Sequence, residues 1–126
     1  MTLNDLTYKI RGGIFEVHKT LGPGLLESVY HRALLYELQS LGLRVDSEVS
    51  VPIIYKGTMV SEDLKLDLLV EDSVIVELKS VEALSNLHKK QLLTYLRLTG
   101  KKIGLLVNFN SADMDSTSII RIVNGL

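Results

Sequence analysis

The chain has 126 residues and a mass of 14.0 kDa, with 46% apolar and 23% charged residues and two prolines, which suits one packed domain over residues 1–126 and is too short for two. A net charge of -1 and a pI near 6.3 supply no strong basic footprint, and the absence of cysteine excludes disulfides, a thiolate nucleophile and cysteine-ligated zinc. No apolar run approaches the roughly 20 residues that span a bilayer, and Asn4, Asp5 and Lys9 interrupt anything resembling a signal peptide, so a cytoplasmic location is expected.

Leu3, Leu6, Ile10, Ile14, Val17 and Leu21 recur at helical spacing and predict a first helix over about Leu3–Leu21. The adjacent Gly12-Gly13 either weakens that helix or lets something pack close to it. Gly22-Pro23-Gly24 is a break, and Leu25 to about Leu41 predicts a second helix ending at Gly42. Glu27 falls on the stripe of Tyr30, Leu34, Leu38 and Leu41. A carboxylate on a core-facing stripe needs a partner, because unpaired burial of a charge is costly.

Strand-like stretches follow at about Glu48–Tyr55, Leu64–Val70 and Ser73–Ser80, with Lys56-Gly57 as the first turn, and predict an antiparallel meander. Ser85 caps a third predicted helix that runs to about Thr99 and stops at Gly100. On it Gln91 shares the stripe of Leu84, Leu87, Tyr95 and Leu98, so its amide and the Tyr95 hydroxyl are expected to point inward or toward a cleft. The run Ile103-Gly104-Leu105-Leu106-Val107 predicts a strand covered on both faces, and a right-handed crossover lays it parallel to its partner. Ser118–Val123 fits a further strand or a short helix equally well. The expected fold class is therefore α/β: a mixed central sheet flanked by helices, in the order α-α-β-β-β-α-β.

The most informative pair is Asp67 and Glu77. A hairpin centred on Asp72 pairs Val70 with Val74, Leu68 with Val76 and Leu66 with Leu78, an apolar ladder that sets Asp67 opposite Glu77. Opposed residues have Cβ atoms about 4.5–5.5 Å apart, and two unit charges there repel by roughly 3 kcal/mol at an effective dielectric of about 20. Something positive must offset this. Lys79, two residues past Glu77 on the same face, is one candidate and a divalent cation is the other. The bland alternative is a salt-bridge lattice, with Lys65 reaching Glu77 and Lys79 reaching Asp67. His31, one turn after Glu27, could complete a ligand pair. His88 could contact a phosphate or cap its helix, and His18 carries less signal than either. Lys89, Lys90, Arg97, Lys101 and Lys102 cluster loosely and fit a solvated surface.

With these residues in view, the sequence resembles the GxxExxY family, a branch of the PD-(D/E)XK nuclease superfamily. The signature stands as Gly24-Leu25-Leu26-Glu27-Ser28-Val29-Tyr30. Asp67 and Glu77-Leu78-Lys79 match the superfamily's acid and E-x-K element, and Gln91-Leu92-Leu93-Thr94-Tyr95 resembles the Q-x-x-x-Y helix motif of its exonuclease-like members. One departure is Leu66, which stands where the superfamily name would put proline.

The resemblance implies a restriction-endonuclease-like fold, with Glu27, Asp67 and Glu77 near a Mg2+ or Mn2+ and Lys79 near the attacking water. Three carboxylates suit Mg2+, a hard cation that takes oxygen ligands and keeps several waters, and the Leu78 carbonyl could add another oxygen. Gln91 and Tyr95, with Tyr30 and His88, are the candidates for holding the substrate. The expected function is metal-dependent hydrolysis of phosphodiester bonds in DNA or RNA. The alternative is a non-catalytic binding or assembly module that keeps the nuclease fold, as a homodimer or a subunit of a larger complex.

Overall fold

The computed structural model describes residues 1–126. The first helix, α1 (Leu3–Leu21), begins where Thr2 accepts the Asp5 amide at 3.1 Å while the Asp5 carboxylate accepts the Thr2 amide at 3.0 Å. This reciprocal cap satisfies two otherwise orphaned donors. Gly22, at a φ of 69°, ends α1, and after a short loop α2 (Glu27–Ser40) follows. Then come β1 (Val45–Tyr55), β2 (Thr58–Val70), β3 (Val74–Lys79), α3 (Asn86–Thr99), β4 (Ile103–Asn108) and β5 (Ile119–Val123).

The five strands form one sheet in the order β1-β2-β3-β4-β5. β3 and β4 run parallel, joined by the α3 crossover, and the other neighbours are antiparallel. The expected mixed sheet is thus present, and the undecided tail is a strand. Every residue of β4 is buried, as its unbroken apolar run requires of a strand covered on both faces.

Helices α1 and α2 cover one face, where Ile10, Ile14, Tyr30, Leu34 and Leu38 join Leu68, Val76 and Leu105 in the larger core. Helix α3 covers the other, setting Leu92, Tyr95 and Leu96 against Leu69, Ile75 and Leu106. The apolar stripe of α3 differs from the expected one. Leu87 is 74% exposed, and Gln91 and Leu98 also face solvent. The leucines of α3 fit two adjacent faces at helical spacing, and Gly104 of β4 decides between them. A Cβ there would lie 2.8 Å from Leu92 Cδ1, so the missing side chain is the space that Leu92 fills.

The two helical glycines separate in the same way. A Cβ on Gly12 meets nothing within 4 Å, whereas one on Gly13 would lie 2.7 Å from Leu38 Cδ2. Of the two expected roles, close packing therefore belongs to Gly13. Gly12→Ala is expected to stabilise the protein by up to about 1 kcal/mol, through helix propensity. Gly13→Ala should cost about 1–3 kcal/mol, through overpacking against buried Leu38. Urea titration of the two variants checks the opposite signs.

The β1–β2 hairpin is longer than the sequence pattern indicates. Strand β2 starts at Thr58 rather than near Leu64, and its early residues pair with β1 alone. The expected Leu66–Leu78 contact is not made: Leu66 joins the α3 side of the sheet and Leu78 the α1–α2 side. No helix is long and apolar enough to cross a membrane.

Candidate active site

The turn between β2 and β3 places Glu71 and Asp72 at φ values of 50° and 51°, and the Ser73 amide closes it onto the Val70 carbonyl at 3.0 Å. From there the ladder pairs Val70 with Val74, Leu69 with Ile75 and Leu68 with Val76. It stops at the next step. In place of ladder bonds, the Asp67 amide donates to Glu77 Oε2 at 2.7 Å and the Leu78 amide donates to Asp67 Oδ2 at 2.8 Å. Each carboxylate thus spends one oxygen on the opposite strand's backbone and keeps the other.

Glu77 is only 6% exposed, and burial first, then repulsion from Asp67, pushes its carboxyl up to about 8. Burial also raises Asp67, against the lowering effect of the Leu78 amide, His31 and Lys79. The expected lattice of lysines is not what relieves the pair. The two ion pairs of the molecule are Arg44–Asp46 at 3.5 Å and Lys101–Asp72 at 3.1 Å, both elsewhere. Lys65 is exposed beside Ser50, and Lys79 lowers the three acids through space without reaching ion-pair distance. Two acids are therefore forced together with no cationic side chain in contact.

Glu27 is the first residue of α2, where a carboxylate also meets the helix's positive end. It is exposed rather than in the core, and its carboxyl is raised by partial desolvation, then lowered by Lys79 and raised by Asp67. Glu27 and Asp67 line one cleft of about 450 Å3, together with His31, Arg32, Ser47 and Glu48. Tyr95 is buried near the pair, and its hydroxyl is raised by desolvation, Glu77 and Asp67, while the Gln91 side chain opposes the shift. Gln91, although exposed, thus shares its surroundings with Tyr95.

Four candidates have structural employment. Tyr30 is wholly buried, stacks on Phe109 with ring centroids 4.7 Å apart, donates to the Gly22 carbonyl and accepts the Leu25 amide. It offers substrate no surface, and its hydroxyl holds the loop that leads into Glu27. His88 completes the α3 cap, its Nδ1 accepting the Ser85 amide at 3.1 Å while Ser85 Oγ accepts the His88 amide at 3.2 Å. His18 Nε2 lies 2.7 Å from the Ser111 carbonyl. Leu78 has its side chain in the core, and its amide is the group that fixes Asp67.

Glu48 is the acid that sequence reasoning missed. It has a φ of 52°, lies between the Ser47–Leu68 and Val49–Leu66 pairs where the ladder passes over it and Asp67, and raises the Asp67 carboxyl. No group of three or more Asp, Glu or His side chains converges to metal-ligating distance. The donor chemistry nonetheless fits a hard divalent cation: free oxygens on two desolvated, mutually repelling carboxylates, with a third acid on the same cleft.

The acid pair thus stands where the interior strands β2 and β3 part, with Lys79 two residues beyond Glu77 and Glu27 on the cleft that Asp67 lines. The family model of the PD-(D/E)XK nuclease superfamily matches residues 4–122, and the chain belongs to that superfamily. Its fold is of the restriction-endonuclease-like α/β class. No curated protein and no solved structure gives a significant match.

Proposed function

We propose that the protein is a metal-dependent nuclease that hydrolyses phosphodiester bonds of DNA or RNA. The observation that carries this reading is the pair of half-buried Asp67 and buried Glu77, held together by backbone amides and left without an ion-paired lysine. Asp67, Glu77 and Glu27 would hold Mg2+ or Mn2+, with the Leu78 carbonyl as a further oxygen. Such an ion polarises a phosphoryl oxygen and lowers the pKa of a bound water. The signature Gly24–Tyr30 supports a place in the GxxExxY branch of the superfamily.

The chain's own residues supply the rest. Lys79 orients the attacking water or neutralises charge that develops on the phosphate. Gln91 and Tyr95 hold the substrate backbone, a task that needs donors without sequence preference. His88 spends Nδ1 on the α3 cap and has its Nε2–H left to donate to a phosphate oxygen. Tyr30 acts from behind, by shaping the loop before Glu27.

Incubation with single- and double-stranded DNA and RNA, with Mg2+ or Mn2+, tests the reading. Lys79→Ala is expected to lower kcat by about 10²–10³-fold, the usual cost of losing one charge-stabilising donor. Cleavage that survives this change would remove Lys79 from the site, and cleavage of no substrate would overturn the enzyme.

A second reading, a non-catalytic assembly module, draws on a different surface. Tyr8, Phe15 and Leu41 are exposed along a groove of about 690 Å3 between α1 and α2, away from the acids. Self-association or partner binding that is indifferent to chelator and to Glu77→Ala would favour it.

A further inference from the structure

The end of β4 carries a polar network that the nuclease chemistry does not use. Asn108 is 2% exposed and pairs with Lys79 in the parallel register. Its Oδ1 accepts the Val81 amide at 3.1 Å and its Nδ2 donates to the Val81 carbonyl at 2.9 Å. A side-chain amide thus imitates a backbone partner and carries the β3–β4 pairing past the point where the main chains separate. Phe109 adds the last rung, its amide donating to the Lys79 carbonyl at 2.9 Å. The Lys79 backbone is thus tied at its carbonyl to the segment that leaves β4.

The next residue reaches across to the glutamate loop. Asn110 Nδ2 donates to the same Val81 carbonyl at 3.2 Å, while its Oδ1 accepts the Gly24 amide at 3.2 Å. Ser80 Oγ closes the circuit by donating to the Leu25 carbonyl at 2.8 Å. Three segments meet here: the loop before Glu27, the residues after Lys79, and the end of β4. Glu27 and Lys79 lie 52 positions apart in sequence, on elements with no covalent reason to hold a fixed separation.

We propose that Asn108 and Asn110 are positioning residues that set Glu27 relative to Lys79, Asn108 by fixing the exit of β3 and Asn110 by tying that exit to the Gly24 loop. The claim rests on the nuclease reading for its catalytic consequence. It is independent of that reading in its geometry. Loss of the link leaves each group present but displaced, and a misplacement near 1 Å can cost about 10²-fold in rate.

Asn108 is buried, and its removal threatens the fold, so exposed Asn110 gives the cleaner test. With Mn2+ and a DNA or RNA substrate that the wild type cleaves, Asn110→Ala is expected to lower kcat by about 10-fold or more. KM should stay within about twofold, because the substrate-holding groups on α3 are untouched. An unchanged kcat in the folded variant overturns the proposal, as does a rise in KM alone. If the wild type cleaves nothing, the nuclease reading fails separately, and the link is judged by amide hydrogen exchange. Faster exchange at both Gly24 and Val81 in Asn110→Ala then supports it, and faster exchange at Gly24 alone or at neither overturns it.

Discussion

Glu77→Gln is expected to raise the thermal midpoint of the metal-free protein at pH 8 while abolishing cleavage. The wild-type carboxyl is pushed up to about 8 by burial and then by Asp67, from an ordinary value of 4.5. A group raised in this way keeps its proton in the folded chain and loses it in the unfolded one. Its contribution to stability is full below the ordinary value and drains away as pH climbs from about 4.5 to about 8. Glutamine cannot ionise, yet its amide oxygen can still accept the Asp67 amide. The gain at pH 8 should be on the order of 2 kcal/mol, or roughly 5–10 °C for a domain of this size.

Calorimetry with chelator at pH 5.5 and pH 8.5 checks the sign. The wild-type midpoint should fall between these two values through the Glu77 contribution, and the variant should lose that share of the slope. A divalent cation should reverse the order, raising the wild-type midpoint and leaving the variant nearly unmoved, since binding to the native state alone stabilises it. The loss of cleavage should be about 10²-fold or more. A midpoint lowered by Glu77→Gln at pH 8 would mean that the carboxylate is paired with a cation of the chain after all.

The same pair marks how far the sequence could be read. The hairpin was legible because an apolar alternation of period two tolerates one register, and the observed pairs Val70–Val74 and Leu68–Val76 keep to it. What alternation cannot encode is the splay at Asp67, where carboxylates replace the ladder and Leu66 passes to the other core. Glu48 was hidden for a related reason. Counted back from Tyr55–Thr58 without interruption, the hairpin would set Asp46 opposite Asp67. Two register shifts, between Val51 and Ile53 and between Ile53 and Ile54, move Glu48 there instead. Pro52, which has no N–H to give a ladder, sits inside the first of them. A proline in a strand announces an irregularity but not its size.

Helix α3 shows the converse limit. Its start and stop were legible from Ser85 and Gly100, because capping is local chemistry. Its buried face was not, because Gly104 lies across the sheet and only the tertiary fold brings it to Leu92. The Asn108–Asn110 network is of the same kind. Side chains that stand in for backbone partners have no periodicity, and their function appears only once β3, β4 and the Gly24 loop are adjacent.

Tyr30→Ala is expected to be the most destabilising single change in the glutamate-bearing signature. The ring is fully buried and stacked on Phe109 at an interplanar angle of 7°, so its removal leaves a cavity beneath the loop that leads into Glu27. Truncation of a large buried aromatic costs about 3–5 kcal/mol. It also frees the Gly22 carbonyl and the Leu25 amide, which the hydroxyl had bridged. Tyr30→Phe keeps the stack and loses only the bridge, for about 1–3 kcal/mol. Urea titration should rank wild type, Phe and Ala in that order. Kinetics separate this support role from substrate contact: with the hydroxyl spent inside the protein, Tyr30→Phe should lower kcat through Glu27 and leave KM within about twofold. A KM that rises by about tenfold with kcat unchanged would instead put Tyr30 in contact with the substrate, and would require the Gly22–Leu26 loop to open when the substrate binds.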